Sequence, residues 1–127
     1  MKPGMKIGMA ESITVEVSED MFARFEDKVI HPAFSTVSMV YHMEWASRKI
    51  ILPYLNEDEE GLGASVNLKH TGMSPAHSKV TITAVLKEIV NNIIVTEVEA
   101  FNEKERIGVG TVKQIVLPKA EIEKKLS

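Results

Sequence analysis

Cysteine is absent from the 127 residues, which excludes a disulfide framework, a thiolate nucleophile and a thiolate metal site. No stretch is apolar enough for a membrane span, and the first residues lack the unbroken apolar run of a signal peptide. The formal net charge of -3 argues against the concentrated basic face of a nucleic-acid-binding protein. We therefore expect a soluble, cytoplasmic protein with one domain over residues 1–127.

What the sequence does contain is a long apolar segment, YHMEWASRKIILPYL, with one carboxylate set into it. Helical periodicity places Glu44 on an otherwise apolar stripe. The opposite side is apolar as well, so we expect a helix that is buried nearly all round. It should begin at Ser35 or Thr36, either of which suits an N-cap, and should run to about Tyr54.

Alternation of apolar and polar residues predicts five strands, one before the helix and four after it. The predicted strands are residues 12–17, 62–71, 79–90, 93–101 and 106–117. Between the first strand and the helix, the segment ARFEDKVIHPAFST predicts a loop or a broken helical turn, because it is mixed in character and holds a proline. The charged C-terminal segment KAEIEKKLS predicts a frayed tail.

One long apolar helix among antiparallel strands needs a sheet that curls around it. This layout is typical of the α+β hot-dog fold, in which a strongly curved antiparallel sheet of about five strands wraps a central helix. A sheet of this size covers only part of the helix. We therefore expect a homodimer or a dimer of dimers, in which a second subunit covers the remainder.

The parity of the strands places two ionisable groups in the same region. The residues predicted to face the helix are Leu62, Ala64, Val66, Leu68 and His70 on one strand, and Val80, Ile82, Ala84, Leu86 and Val90 on the next. His70 should then face the helix that carries Glu44. A carboxylate near a histidine, sheltered from water, suits general-base or nucleophilic chemistry.

Simpler interpretations compete with this one. Glu44 and Arg48 stand in the favourable i, i+4 order, so a surface ion pair would explain Glu44 without chemistry. His70 could be a core histidine bonded to a backbone carbonyl, and Thr36 could serve only as the helix N-cap. The histidines and carboxylates lack metal-ligand spacing, so we predict no metal site.

A family resemblance favours the catalytic interpretation. The segments FSTVSMVYHMEWASRKIILPYL, EGLGASVNLKHTGMSP and RIGVGTVKQIVL resemble the fluoroacetyl-CoA thioesterase group of hot-dog proteins over most of the chain. In that family a threonine, a glutamate and a histidine form the catalytic set. Thr36, Glu44 and His70 match these residue types at the family's spacings without a gap.

The resemblance implies an acyl-CoA thioesterase that acts as a homodimer, with its active sites near the subunit interface. Glu44 would attack the thioester or activate a water, His70 would assist proton transfer, and Thr36 would orient Glu44 or polarise the carbonyl. Coenzyme A is then part of the substrate, and no cofactor is expected. The candidate substrate contacts are Phe34, Gly63, Lys69 and Gln114.

One departure from the family concerns the acyl group. Fluoroacetyl-specific members carry phenylalanines in a lid before the main helix, and this chain has Asp27 and Ile30 at those positions. This favours another small or short-chain acyl-CoA as the substrate. A non-catalytic acyl-CoA or small-ligand binding protein on the same fold is the alternative. A hydratase is a weaker third, because Glu44 has no histidine partner at the matching helix spacing.

Overall fold

The computed structural model describes residues 1–127, which form two β-sheets and two α-helices. The strands are β1 (Ala10–Glu16), β2 (Phe22–Phe25), β3 (Lys28–Phe34), β4 (Glu59–His70), β5 (Lys79–Val90), β6 (Ile93–Phe101) and β7 (Arg106–Pro118), and the helices are α1 (Thr36–Ile51) and α2 (Lys119–Leu126). Neither helix combines the length and the apolar character that a membrane crossing requires.

The main sheet has five antiparallel strands in the order β1-β5-β6-β7-β4, and α1 packs across one of its faces. The predicted layout of one long helix with a five-stranded antiparallel sheet is therefore confirmed. The order leaves β1 and β4 at the two edges of the sheet. β4 has β7 on one side and a free edge on the other.

The start of α1 is set by a cap. The Ser35 side chain accepts a hydrogen bond from the Ser38 backbone N–H at 3.0 Å, which satisfies one of the free donors of the first turn. Ser35 is thus the N-cap, and Thr36 is the first helical residue. The helix then tightens into a 3₁₀ turn, Leu52–Tyr54, which contains the proline expected to end it.

Only one side of α1 is buried. Its buried apolar residues face the sheet and are Met39, Met43, Ala46, Ile50 and Ile51. Val37, Tyr41 and Trp45 lie on the outer side and are 76%, 61% and 42% exposed. We call these three residues the exposed helix stripe. The prediction that the helix is buried nearly all round is wrong for the single chain, because the sheet covers one side only.

A glycine on β7 allows α1 to approach the sheet. A Cβ at Gly108 would lie 2.9 Å from Met39 Cε and would also collide with its sulfur, so a side chain there would displace the Met39 side chain from this contact. Met39 and Met43 are completely buried at this contact. This close packing of α1 on the sheet determines how far the polar side chains of α1 lie from the strands.

Two β-bulges correct the predicted strand faces. The pairing of β4 with β7 shifts between Gly63 and Ser65, which interrupts the regular alternation of side chains between the two faces of the sheet. Residues before the shift therefore face the opposite side to the one that alternation counted from His70 would give. Val66, Leu68 and His70 do face the helix side, but Leu62 is exposed and Ala64 falls within the bulge.

The second bulge lies in β5. The pairing with β6 shifts between Leu86 and Glu88. Val80, Ile82, Ala84 and Leu86 are buried as predicted. Val90, predicted to be inward, is 46% exposed, and Ile89 packs against the core in its place.

Two segments predicted to be irregular are regular. The segment before α1 is a β-hairpin, in which β2 and β3 pair around Glu26 and Asp27. Both turn residues have positive φ, 48° and 65°, as a two-residue type I′ turn requires. The C-terminal segment forms α2 rather than a frayed tail, because alanine, glutamate, lysine and leucine are strong helix formers.

Candidate functional site

Thr36 and His70 are joined by a hydrogen bond. Thr36 Oγ1 lies 2.8 Å from His70 Nδ1, where the first turn of α1 meets the end of β4. This contact is possible because Ser35 caps the helix and leaves the Thr36 hydroxyl free. Thr36 is therefore not the N-cap, and the interpretation of its hydroxyl as a simple cap is wrong.

The other nitrogen of His70 has no partner within the chain. His70 Nε2 is buried and makes no hydrogen bond. Burial lowers the pKa of His70 below its ordinary value of 6.5, and the Gly72 backbone opposes that shift only in part. The imidazole is thus mainly neutral at neutral pH, which allows it to take up a proton and then pass it on.

His70 and Thr36 line a cavity of about 350 Å³ between the hairpin and the end of β4. The residues that line it are Ala23, His31, Ala33, Phe34, Ser35, Thr36, His70, Thr71, Gly72 and Met73. Phe34, a predicted substrate contact, is buried and forms part of this wall. The cavity is large enough for a small organic group and has polar groups on one side.

His31 is a functional candidate that the sequence interpretation missed. It was expected in a loop, but it lies on β3 and lines the cavity that contains Thr36 and His70. The only sequence signal for this placement is the polar Glu26-Asp27 pair between two short segments of apolar and aromatic residues, which is compatible with a hairpin turn.

Glu44 stands elsewhere on α1, above β4. A Cβ at Gly63 would collide with Glu44 Oε2, so the missing side chain of Gly63 provides the space for the carboxylate. Arg48 does not pair with Glu44. Its guanidinium binds Glu60 Oε2 at 2.8 Å and donates to the Gly61 carbonyl oxygen at 3.4 Å. The proposed i, i+4 ion pair is therefore absent, and the half-buried Glu44 carboxylate has no ion-pair partner.

Glu44 lines a second cavity, of about 410 Å³, with Tyr41, Trp45, Arg48, Gly61, Gly63 and Gln114. Gln114 lies on β7 directly across from Gly63 and is only 4% exposed. Its side-chain Nε2 is buried and has no hydrogen-bond partner. Two of the predicted substrate contacts, Gly63 and Gln114, are thus brought together with Glu44.

The two cavities share no lining residue. No hydrogen bond or ion pair joins Glu44 to His70 in the single chain, although sequence parity placed both on facing elements. Thr36 and Glu44 are separated by more than two helical turns, so one histidine beside Thr36 does not also reach Glu44. The chain therefore presents the three predicted catalytic residues as a Thr36–His70 pair and a separate carboxylate.

Lys69 faces away from both cavities. It lines a groove of about 590 Å³ on the outer face of the sheet, together with Arg106, Glu97 and Glu99. Because neighbouring residues of a strand point to opposite faces, Lys69 lies on the other side of the sheet from His70. Nowhere in the chain do three or more His, Asp or Glu side chains converge as a metal would require.

Comparison with known proteins identifies relatives of this chain. The family model of fluoroacetyl-CoA-specific thioesterases matches residues 17–120. The fluoroacetyl-CoA thioesterase of Streptantibioticus cattleyicolor is 33% identical over 96 residues, which are 76% of this chain and 66% of that protein. Residues 17–120, which the family model matches, include the lining residues of both cavities.

Solved structures give the same result at the level of the fold. A thioesterase superfamily member from Thermus thermophilus has a TM-score of 0.94 at 38% identity, covering 99% of this chain and 93% of that chain. A variant of the fluoroacetyl-CoA enzyme FlK in complex with acetyl-CoA has a TM-score of 0.90 at 26% identity, covering 96% of each chain. A hot-dog-like protein from Thermanaerovibrio acidaminovorans, 18% identical, has a TM-score of 0.88 over 94% of this chain and 89% of that chain. The predicted hot-dog fold is confirmed.

Proposed function

The chain belongs to the fluoroacetyl-CoA-specific thioesterase family, a family of thioester hydrolases, and from this premise we propose that it hydrolyses coenzyme A thioesters of small or short-chain acyl groups. Cavities of about 350 and 410 Å³ support a small acyl group. The complex of a family member with acetyl-CoA supports a CoA thioester as the ligand class. The reaction needs water and no cofactor.

The observation that carries this proposal is the environment of Glu44. Its carboxylate is half-buried at the wall of a cavity, and the neighbouring cation, Arg48, is engaged by Glu60 instead. A carboxylate at a cavity wall that no cation engages is free to act as a base or as a nucleophile. Glu44 thus attacks the thioester carbon itself or removes a proton from the attacking water.

The Thr36–His70 pair supplies the second half of the chemistry. The hydroxyl of Thr36 orients the imidazole through a hydrogen bond with Nδ1. The unpartnered Nε2 is then free to pass a proton to the leaving thiolate. We therefore assign His70 to proton transfer. Thr36, which the resemblance implied would orient Glu44 or polarise the carbonyl, is assigned to orienting His70.

A homodimer brings the two halves together in this proposal. β4 has a free edge, and the exposed helix stripe leaves three large apolar side chains uncovered on the same side of the chain as Glu44. Antiparallel pairing of two β4 strands, in which paired residues face the same side of the joined sheet, brings the end of β4 that carries His70 towards the partner subunit's Gly63. His70 then approaches the partner subunit's Glu44, so each complete site uses both chains.

A cysteine-free chain with this substrate fits a cytoplasmic location.

A thiol-release assay across acyl-CoAs of increasing chain length, fluoroacetyl-CoA included, tests the reaction. We expect turnover with small acyl groups and little with long ones. Saturable acyl-CoA binding without thiol release from any of them would instead identify a non-catalytic binding protein.

Glu44→Gln tests the assignment of the carboxylate. The amide can neither take a proton nor attack a carbonyl, so turnover should fall by roughly two to four orders of magnitude while acyl-CoA binding persists. Arg48→Ala is the matched control, because it removes a cation that pairs with Glu60 and not with Glu44. It should retain most activity. Normal turnover in Glu44→Gln would contradict the mechanism.

A further inference from the structure

Two buried side-chain polar atoms in the protein lack a hydrogen-bond partner, His70 Nε2 and Gln114 Nε2. A buried N–H without an acceptor costs folding free energy, and such groups are rare in native proteins. The nitrogen of His70 is already explained by proton transfer. That of Gln114 has no such explanation within the chain, which points to an acceptor that arrives with a ligand.

The position of Gln114 shows what that ligand would meet. Gly63 and Gln114 are directly paired across β4 and β7, so the Gln114 side chain stands on the face where Glu44 fills the space left by Gly63. Gln114 and Glu44 line the same cavity. Arg48, the cation there, already donates to Glu60 and to the Gly61 carbonyl. Gln114 is therefore the buried donor in this cavity that remains uncommitted.

We propose that Gln114 Nε2 donates a hydrogen bond to the carbonyl oxygen of the thioester, while Glu44 supplies the attacking oxygen or takes a proton from the attacking water. This inference rests on the thioesterase function proposed above. When the attacking oxygen forms its bond to the carbonyl carbon, the π electron pair moves onto the carbonyl oxygen. When that pair returns, the carbon–sulfur bond breaks and coenzyme A leaves as a thiolate, which takes a proton from solvent, directly or through His70. A buried N–H aimed at the carbonyl oxygen binds it most strongly in the charged intermediate.

A neutral amide suits this position better than a cation would. A lysine or arginine at this position would pair with the Glu44 carboxylate and occupy the oxygens that act as base or nucleophile. The amide of Gln114 donates without adding charge, so it stabilises negative charge on the substrate oxygen and leaves Glu44 reactive. The donor is also needed on either route, because direct attack by Glu44 and attack by water both create the oxyanion.

Gln114→Met tests the proposal, since methionine has a similar size and lacks the N–H. We expect kcat to fall by roughly 100-fold, the lower range for the loss of one oxyanion donor, with KM changed less than about threefold. Because the replacement removes a buried donor that has no partner in the free protein, the melting temperature should stay the same or rise.

Thr96→Val is the matched control. Thr96 is equally buried, but its hydroxyl is bonded to Ser47 at 2.7 Å in the core. This variant should melt at a lower temperature and keep the parent kcat. Comparison of the two variants therefore distinguishes a donor that binds the substrate from a hydroxyl whose hydrogen bond stabilises the fold.

Three results would overturn the assignment of Gln114. An active parent with Gln114→Met at an unchanged kcat would refute it and leave the thioesterase function standing. A lower melting temperature in Gln114→Met, with kcat restored to the parent value well below its melting transition, would show a structural role. A parent that hydrolyses no acyl-CoA refutes the function and this inference together.

Discussion

Gly63 and Glu44 occupy one shared space between β4 and α1. A methyl group at Gly63 would collide with the end of the Glu44 side chain and not with backbone, so the carboxylate would move and the fold would persist. We expect Gly63→Ala to lose roughly 100-fold in kcat/KM, the scale of a misplaced reacting group, with little change in melting temperature.

The nearby exposed residue Ser65 provides the comparison for Gly63→Ala. Ser65→Ala adds no atom towards Glu44 and should behave like the parent in both measurements. Parent-level activity in Gly63→Ala would show that the observed position of the Glu44 carboxylate is not required for turnover.

Burial of His70 predicts the sign of a pH dependence of stability. Burial lowers its pKa in the folded chain, whereas in the unfolded chain it titrates near 6.5. Below about 6.5 the unfolded state binds the proton more readily, so the free energy of unfolding falls with decreasing pH until the folded pKa is passed. Urea denaturation at pH 7 and at pH 5 measures this loss.

The His70 contribution is isolated by a variant. Carboxylates also titrate over part of this range, so the relevant quantity is the difference between the parent and His70→Asn. The variant should lose less stability than the parent between the two pH values. An identical loss in both would mean that His70 is not held neutral by burial.

At this scale the sequence predicted part of the grouping of the candidate site residues. Thr36 and His70, which the family resemblance places in one catalytic set, are hydrogen-bonded to each other, and Gly63 and Gln114 lie beside Glu44. The separation of Glu44 from His70 was not predicted. Strand parity tells which face of a sheet a residue occupies, but it does not tell how far along the helix its partner stands.

The β-bulges in β4 and β5 show where apolar–polar alternation fails to predict which residues face the core. Alternation predicted the inward faces of β4 and β5 correctly on one side of each bulge, and failed for Leu62 and Val90 on the other. A bulge inserts one backbone residue without changing composition. The small side chain of Ala64 could have marked the first bulge, while Lys87 in the second gives no signal.

The β2–β3 hairpin is predicted to be under-optimised at its turn. Glu26 and Asp27 both adopt positive φ, which suits asparagine and glycine much better. The double change Glu26→Asn with Asp27→Gly should raise the free energy of unfolding by about 1 kcal/mol, because positive φ is costly for ordinary side chains. Equilibrium denaturation measures the gain.

The same change tests the hairpin as a wall of the site. Its strand β3 carries His31 and Phe34 into the Thr36–His70 cavity. The turn lies at the far end of the hairpin, so kcat/KM should stay within about twofold of the parent when only the turn is altered. Destabilisation by the double change would show that the turn is not of type I′.

For the whole molecule, the layout predicted from sequence was sufficient to identify the fold. One helix among five antiparallel strands limited the possible architectures to very few, and apolar alternation located all five strands of the main sheet to within three residues at each end. The hairpin and α2 were missed because neither has a strong apolar pattern. The hairpin depends on a turn with positive φ, and α2 depends on intrinsic helix propensity.

Mixing two inactive variants tests whether complete sites span two chains. Glu44→Gln and His70→Ala each inactivate both sites of their own homodimers. After subunit exchange, a mixed dimer contains one site with an intact His70 and the partner subunit's intact Glu44. Random exchange under two-fold symmetry should restore about a quarter of the parent activity. Thiol release before and after exchange measures the recovery.

The corresponding control places both changes on one chain. A double variant exchanged with the parent should inactivate every site of the mixed dimers, so activity falls below that of the unexchanged mixture. No recovery in the first mixture, in a sample that light scattering shows to be dimeric, would mean that each chain contains a complete site. A stable monomer would exclude the two-chain arrangement altogether.

Trp45 is the single tryptophan of the chain, and its indole lines the cavity of Glu44 while remaining 42% exposed. The protein therefore carries its own fluorophore at the site. Filling the cavity displaces water from the indole, so its emission should shift to shorter wavelength in proportion to occupancy. In Glu44→Gln, where bound acyl-CoA persists, that shift would yield binding affinities for each acyl chain without a label and without turnover.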